Sequence, residues 1–308
     1  MYDLIGDIHG HAAELEALLV KLGYQLDGPC YRHESRRVIF LGDFVDRGPQ
    51  QRRVLEIVRP MVEAGSALAV MGNHEFNAIA YFTADGEGGH LRARNEKNTH
   101  QHQAFLDEFA DDPSAWADTI EWFKRLPLWL ELDGLRVVHA CWDRSSIERI
   151  SRDYRGQTGL PQSLLVESSR RGTWQFKAVE TLLKGKEVPL PKGTYFHDKD
   201  GTRRNEIRVR WWTGGRTYQD IYMGPPSATA EIPDEAIVQD HMVEYGPEEK
   251  PVFLGHYWME GEPKPLASNI ACLDYSIAKP GGKLVAYRWS GENVINPSSY
   301  MFVKRNSE

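Results

Sequence analysis

Three times within the first 75 residues a short apolar run ends on glycine and passes at once into carboxylate, amide and imidazole side chains. Leu4-Ile5 leads into Gly6-Asp7-Ile8-His9. Residues 37–41 lead into Gly42-Asp43-Phe44-Val45-Asp46-Arg47-Gly48, and residues 67–71 into Gly72-Asn73-His74-Glu75. Between these runs lie stretches with helical spacing: Leu15, Leu18, Leu19 and Leu22, then Val54, Ile57, Val58, Met61 and Val62, where Pro60 predicts a kink. Strand–loop–helix repeated in this way predicts a parallel or mixed sheet, and such sheets collect chemistry at the carboxyl ends of their strands. All three polar clusters fall there. Two later apolar runs also end on histidine, at His139 and at Gly255-His256.

Further along, residues 75–81 read as helix and residues 85–90 as a mobile glycine-rich loop. Residues 91–102 form a polar basic stretch leading into a helix over 103–126, interrupted near Pro113. Asp133-Gly134 between two apolar runs predicts a hairpin. Residues 142–250 are polar and punctuated by glycine and proline; they are expected to form an insertion or cap within a single domain spanning residues 1–308. Within them, 163–167 and 174–183 look helical, and 207–212 alternates like a strand. Strands return at 252–255, 270–275 and 283–289, the last two joined through Pro280-Gly281-Gly282.

Hydrophobic residues at 41% and charged residues at 26% suit a soluble globular chain of 308 residues. The formal net charge of -7 gives no broad attraction to nucleic acid or membranes. It leaves an anionic substrate open, because bound metals would dominate the local field. Three cysteines, Cys30, Cys141 and Cys272, are too few and too odd for a disulfide framework and point to a reducing compartment. No signal-like segment precedes the first strand, and no apolar run approaches the ~18 residues that cross a bilayer. A cytoplasmic protein without membrane or nucleic-acid partners is expected; its oligomeric state is open.

The clusters carry the ligand types of a two-metal hydrolytic site. Asp7 and His9, two residues apart at a strand end, aim to the same side. Asp43 has two oxygens and can bridge two metals. Arg47 offers a planar fork for phosphate oxygens, while Asp46 can orient a histidine. Asn73 can supply a neutral oxygen, leaving His74 free as a general acid. Taken singly, each pattern also fits a capped turn, a surface ion pair or a satisfied buried histidine. Their joint occurrence in order is what points to metals.

On these residues the chain resembles the calcineurin-like metallophosphoesterases. The matching motifs are Gly6-Asp7-Ile8-His9-Gly10, Gly42-Asp43 through Gly48-Pro49, Gly72-Asn73-His74-Glu75, His139-Ala140 and Gly255-His256, with a further likeness at Arg288-Trp289. Within that superfamily it is most similar to the serine/threonine phosphoprotein phosphatases and the symmetrical diadenosine tetraphosphatases. Asp46-Arg47-Gly48 follows the former, Gly255-His256-Tyr257-Trp258 the latter.

The resemblance implies an α/β fold, a four-layer α/β/β/α sandwich of two mixed sheets flanked by helices. It implies two divalent metal ions, Mn²⁺ first with Fe or Zn suited to the same donors. Asp7, His9 and Asp43 would hold one; Asp43, Asn73, His139 and His256 would hold the other. A metal-bridging hydroxide would attack phosphorus in line, Arg47 would clamp the phosphate, and His74, supported by Asp46, would protonate the leaving oxygen. The substrate would be a phosphomonoester or phosphoanhydride, in a phosphoprotein or a nucleotide polyphosphate. Many nuclease-like members end in Gly-His-x-His; here Tyr257 and Trp258 follow His256, which favours the phosphatase branch over a phosphodiesterase or nuclease. A non-catalytic metal-binding regulatory module is disfavoured by the intact Arg47 and His74. A second phosphate-binding arginine is sought among Arg208, Arg210 and Arg216, with Arg216 preferred. The cluster Arg92, Arg94, Lys97, His100 and His102 reads as a solvated loop that could also greet a polyphosphate. Trp211 and Trp212 read as part core, part surface.

Overall fold

The computed structural model describes residues 1–198, 201–238 and 243–306. Ten strands build two mixed sheets. In chain order they are β1 Tyr2–Ile5, β2 Arg37–Phe40, β3 Ala67–Ala69, β4 Trp129–Glu131, β5 Arg136–Val138, β6 Val252–Leu254, β7 Ile270–Cys272, β8 Asp274–Tyr275, β9 Lys283–Trp289 and β10 Tyr300–Lys304. The first sheet runs β8-β9-β1-β2-β3, with β10 also on β9; the second runs β7-β6-β5-β4. β1, β2 and β3 are parallel, as are β5, β6 and β7. Among the described residues, eight α-helices longer than one turn accompany them: α1 Ala12–Lys21, α2 Gln51–Glu63, α3 Asn73–Phe82, α4 Glu96–Phe109, α5 Pro113–Lys124, α6 Arg144–Asp153, α7 Gln162–Ser168 and α8 Trp174–Lys184.

Alternation along the strands creates the layers. Leu4, Ile39, Leu41 and Val70 from the first sheet meet Leu135, Val137, Phe253 and Ala271 from the second, with Val285 and Tyr287, in one apolar seam. Their neighbours Ile5, Val38, Phe40, Val138, Val252 and Leu254 point the other way. They join the larger core that takes in Leu15 and Leu18 of α1, Val54 and Val58 of α2, and Leu182 of α8. Helix, sheet, sheet, helix is the arrangement that covers both faces of both sheets.

Register then positions the site. Ile5 pairs with Phe40 and Phe40 with Ala69, so the chain leaves β1, β2 and β3 at one edge. Val137 pairs with Phe253, which brings His139 and His256 out side by side. The run over 270–275 divides at Leu273: β7 lies in the second sheet and β8 in the first. The Arg288 likeness is structural. Asp3, fully buried, accepts from Arg36 Nε (3.0 Å), Arg288 Nε (3.0 Å) and Tyr24 Oη (3.1 Å), tying β1 to β9.

Several expectations change. α2 continues through Pro60 to Glu63. The loop read as mobile at 85–90 is closed by a bridge between Ala84 and His90, and Asp85 Oδ1 accepts from the N–H groups of Glu87 and Gly89. The basic stretch is not all loop, because Asn95 caps α4 through the Asn98 N–H and the helix starts at Glu96. The expected strand over 207–212 is shorter, Glu206–Arg208, pairing with Glu187–Pro189. Trp211 turns inward instead, its Nε1–H donating to Ala140 O at 3.1 Å.

Phe253 is fully buried between the sheets, its ring 5.0 Å from that of Tyr287. Phe253→Ala is expected to cost about 3–5 kcal/mol of stability, read as a fall in the urea midpoint with the slope unchanged. A change below about 1 kcal/mol would contradict this packing.

Candidate active site

Three loops interlock at the strand ends. The Ile8 and His9 N–H groups both donate to Asp43 O, at 3.0 and 2.9 Å, and Gly10 N–H donates to Phe44 O. Gly48 N–H closes back onto His9 O at 2.9 Å, where a Cβ on residue 48 would collide. Glu75, at the start of α3, accepts from the N–H groups of Asp43 (2.8 Å), Phe44 (2.8 Å) and Gly72 (2.9 Å). Burial and the nearby Asp43 charge still push its carboxyl up to about 7. Positive φ at His9, Asp43, Asp46, Arg47, His256 and Trp258 concentrates backbone strain in these loops, as at many functional sites.

Asp43 stands at the centre. Its Oδ2 lies 3.3 Å from His139 Nε2, 3.7 Å from His9 Nε2 and 3.9 Å from His74 Nε2. Two triads share it, His9–Asp43–His74 and Asp43–His139–His256, each with donor atoms within 4.8 Å of one another. Asn73 Oδ1 lies 2.8 Å from His256 Nδ1 and 3.2 Å from His139 Nε2. Asp7 sits outside both triads. Its carboxylate accepts the His256 N–H at 3.1 Å, and it packs so close to Gly255 that a Cβ there would strike Oδ1. The first-metal set expected from the sequence, Asp7, His9 and Asp43, thus has His74 as the closer third donor.

The donor set fits metal ions. His9 Nδ1–H donates to Val45 O, which leaves Nε2 as a buried lone pair without a hydrogen-bond partner, facing the Asp43 oxygen. Lone pair against carboxylate is repulsive unless a cation lies between them. His139 likewise donates from Nδ1 to Leu41 O at 2.7 Å. Burial and the His74 charge lower the His9 imidazole to about 3, and burial with Arg208 and His139 holds His256 well below its usual value, so both offer neutral nitrogens. Burial also works against a charged His139, but Asp43 and Asp7 push it up to about 10. Burial and the charge of Asp274 push the Asp7 carboxyl well up.

His74 faces the same Asp43 oxygen, while its Nδ1–H donates to Asp46 Oδ2 at 2.5 Å. The second Asp46 oxygen accepts from His102 Nδ1 at 2.6 Å. Burial disfavours the Asp46 anion, but the hydrogen bonds from His102 and His74 outweigh it and hold this carboxyl well below its usual range. Burial would also discharge His74, yet Asp43 and Asp46 raise it. Arg47 lies with Cζ 4.1 Å from the centroid of the Trp258 ring.

Of the three candidate arginines, Arg208 is the one brought to the ligands, Nη1 3.3 Å from His256 Nε2. Arg210 donates to Asp220 O, and Arg216 is on an exposed loop held by Asp220. Sequence reasoning missed His102, Trp258 and Asp274 as parts of the site. His102 was legible in principle: with Phe105 and Phe109 it follows helical spacing, and all three are buried. Asp274 accepts the Trp258 N–H at 2.7 Å.

With a sequence model matching residues 2–225, the chain belongs to the calcineurin-like phosphoesterase family. Among its relatives is a protein of Oceanobacillus iheyensis named bis(5'-nucleosyl)-tetraphosphatase PrpE, asymmetrical, 33% identical over 55% of this chain and 60% of that one. A Geobacillus protein of the same name is 37% identical over 48% of this chain and 60% of its own length. The match thus spans about 60% of these relatives. Their name carries the asymmetrical form, whereas the sequence resemblance was to symmetrical enzymes. A cold-active protein-tyrosine phosphatase of a psychrophilic Shewanella shares the fold, with a TM-score of 0.51 at 15% identity over 99% of this chain and 80% of that one. Among the described residues no helix is long and apolar enough to cross a membrane.

A Cβ on residue 72 would lie 2.2 Å from Asp43 Oδ1 and 2.4 Å from its nitrogen. Gly72→Ala is therefore expected to displace Asp43 and strip bound metal, measured by elemental analysis after Mn²⁺ loading and desalting. Full metal content in this variant would refute the central place given to Asp43.

Proposed function

We propose that this protein is a dinuclear metal-dependent phosphatase that hydrolyses phosphomonoesters or phosphoanhydrides. The observation that carries this is one carboxylate oxygen, Asp43 Oδ2, faced by three imidazole nitrogens beside an arginine stacked for phosphate. Asp7, His9 and Asp43 would hold one metal, and Asp43, Asn73, His139 and His256 the other. Mn²⁺ is the proposed ion, with Fe or Zn suited to the same mixed donors. When bound, the metals supply Lewis-acid charge and lower the pKa of water.

The chain's own residues do the rest. Arg47, its plane set by Trp258, binds non-bridging oxygens of the scissile phosphate and stabilises their charge. Arg208 approaches from the His256 side and takes the part first sought in Arg216. His74 keeps Nδ1–H on Asp46 and holds a proton at Nε2 for the leaving oxygen. His102 fixes the other Asp46 oxygen, so the carboxylate cannot swing away from His74. Trp258 stands where a second histidine would complete a Gly-His-x-His ending, which favours monoester over diester substrates. Nucleotide polyphosphates and phosphoproteins are the proposed substrate classes, the former in keeping with the relatives' name. The reading includes a single domain over residues 1–308 with 142–250 as its insertion, and a cytoplasmic location, in keeping with three buried thiols.

Turnover of p-nitrophenyl phosphate with Mn²⁺, abolished by chelator and far exceeding that of the bis ester, tests this reading. No turnover with any divalent metal in folded protein would sink it. His74→Asn is expected to lower kcat roughly 10²–10⁴-fold with metal retained; loss of metal would make His74 a ligand instead. His102→Ala is expected to lower kcat with little change in KM. His102→Asn, which keeps a donor for Asp46, should restore most of the loss. Equal losses in the two variants would assign His102 to packing alone.

A further inference from the structure

We propose that the cleft beside His74 is a second anion subsite, built for phosphates beyond the scissile one, so that the preferred substrate carries a chain of phosphates as a nucleoside polyphosphate does. The inference rests on the hydrolytic reading of the metal site and names its substrate class. A cleft of about 680 Å³ begins at Arg47, Asn73 and His74, passes between α3 and α4, and reaches Lys184 on α8. Arg92 lies in its wall, half-buried.

Arg92 is set up for an anion the protein does not supply. Its Nη1 donates to Asn77 Oδ1 (3.1 Å) on α3 and its Nη2 to Gln101 Oε1 (2.9 Å) on α4. Both acceptors are neutral amides, and among the described residues no carboxylate lies within ion-pairing distance of this guanidinium. Burial pushes its pKa down, with Glu180 and Asp46 too remote to restore it. Partly desolvated cations are normally paired. Two anchored terminal nitrogens fix the guanidinium plane while leaving most of its five N–H groups for a ligand. Lys184 adds a point charge across the cleft, and His100 an exposed imidazole. Glu180 opposes this in part, since its carboxylate pairs with Lys184. Asp46 is covered by two histidines. The wall remains cationic where it leaves the scissile phosphate.

A phosphomonoester has no use for this arrangement. Its single phosphate is satisfied at the metals, Arg47 and Arg208, and cations further along the cleft would face a neutral leaving group. A polyphosphate places a further charged group there. Arg and Lys together suit it, one by directed donors and the other as a mobile charge.

The test is calorimetric titration of the metal-loaded protein with inorganic tripolyphosphate and with orthophosphate. The expected result is tripolyphosphate binding about tenfold or more tighter than orthophosphate, with the preference cut severalfold in Arg92→Gln and in Lys184→Met. In parallel, the ratio of kcat/KM for a nucleoside triphosphate to that for p-nitrophenyl phosphate should fall in the same variants. Lys184→Met lies on another helix and decides the matter if Arg92→Gln fails to fold. No tripolyphosphate preference in the wild type, or one unchanged in the folded variants, overturns the subsite while normal p-nitrophenyl phosphate turnover leaves the hydrolytic reading intact. Loss of all turnover would defeat that reading, and the binding preference would still be measurable.

Discussion

Everything at this site is arranged around the burial of one carboxylate. Asp43 is 2% exposed, with Asp7 and Asp274 buried close by and Glu75 holding its backbone. An isolated carboxylate in such a place would take up a proton. The fold answers with a ring of imidazoles and with backbone N–H groups: His74 N–H on Asp43 Oδ1, three N–H groups on Glu75 and the His256 N–H on Asp7. Even so, the negative charge is only partly offset, and the Asp43 and Asp7 carboxylates push the His139 imidazole up against the effect of its burial. A pair of divalent cations would remove the conflict at once.

Trp258 shows how one residue sets the character of the site. At that position it offers no metal donor. It presents one aromatic ring to Arg47 at 4.1 Å and to Lys279 at 4.6 Å. Its own φ is positive, at 53°, and its N–H is pinned by Asp274. An aromatic residue held in that conformation is costly unless its placement matters. The gain is an arginine whose guanidinium plane is set in advance, which would lower the ordering required for the phosphate binding proposed for it. Trp258 thus offers no metal donor and sets the plane of Arg47 instead.

The strand-end motifs were legible because each combines a short continuous apolar run with a glycine and a polar cluster, all within a few residues. The parallel strands of the first sheet, the α1 and α2 faces and the hairpins followed from the same patterning. What the sequence hid was made by distance in the chain. His102 reaches Asp46 from 56 residues away, and its place among basic residues disguised its buried face. Arg208 reaches His256 across 48 residues because Glu206–Arg208 pairs with Glu187–Pro189; alternation could mark it as facing away from Ile207 but not say toward what. Arg216, preceded by two glycines, looked loop-borne and is; being on a loop did not bring it to the ligand cluster.

The two arginines proposed for the scissile phosphate differ in origin, and the difference bears on the proposed specificity. Arg47 belongs to the strand-end loops that carry the ligands, so its position is tied to the chemistry. Arg208 comes from the segment between the late histidines, whose helices α6–α8 pack through Leu164, Leu165, Val179 and Leu182 into the larger core. That segment also delivers Lys184 to the far end of the cleft. One stretch of chain therefore touches both ends of the proposed phosphate path. Changes within it can retune which phosphate lies over the metals without disturbing Asp43. Under the proposed reading, that separation would let the same strand edge serve a monoester or a chain of phosphates, according to what the segment places beside it.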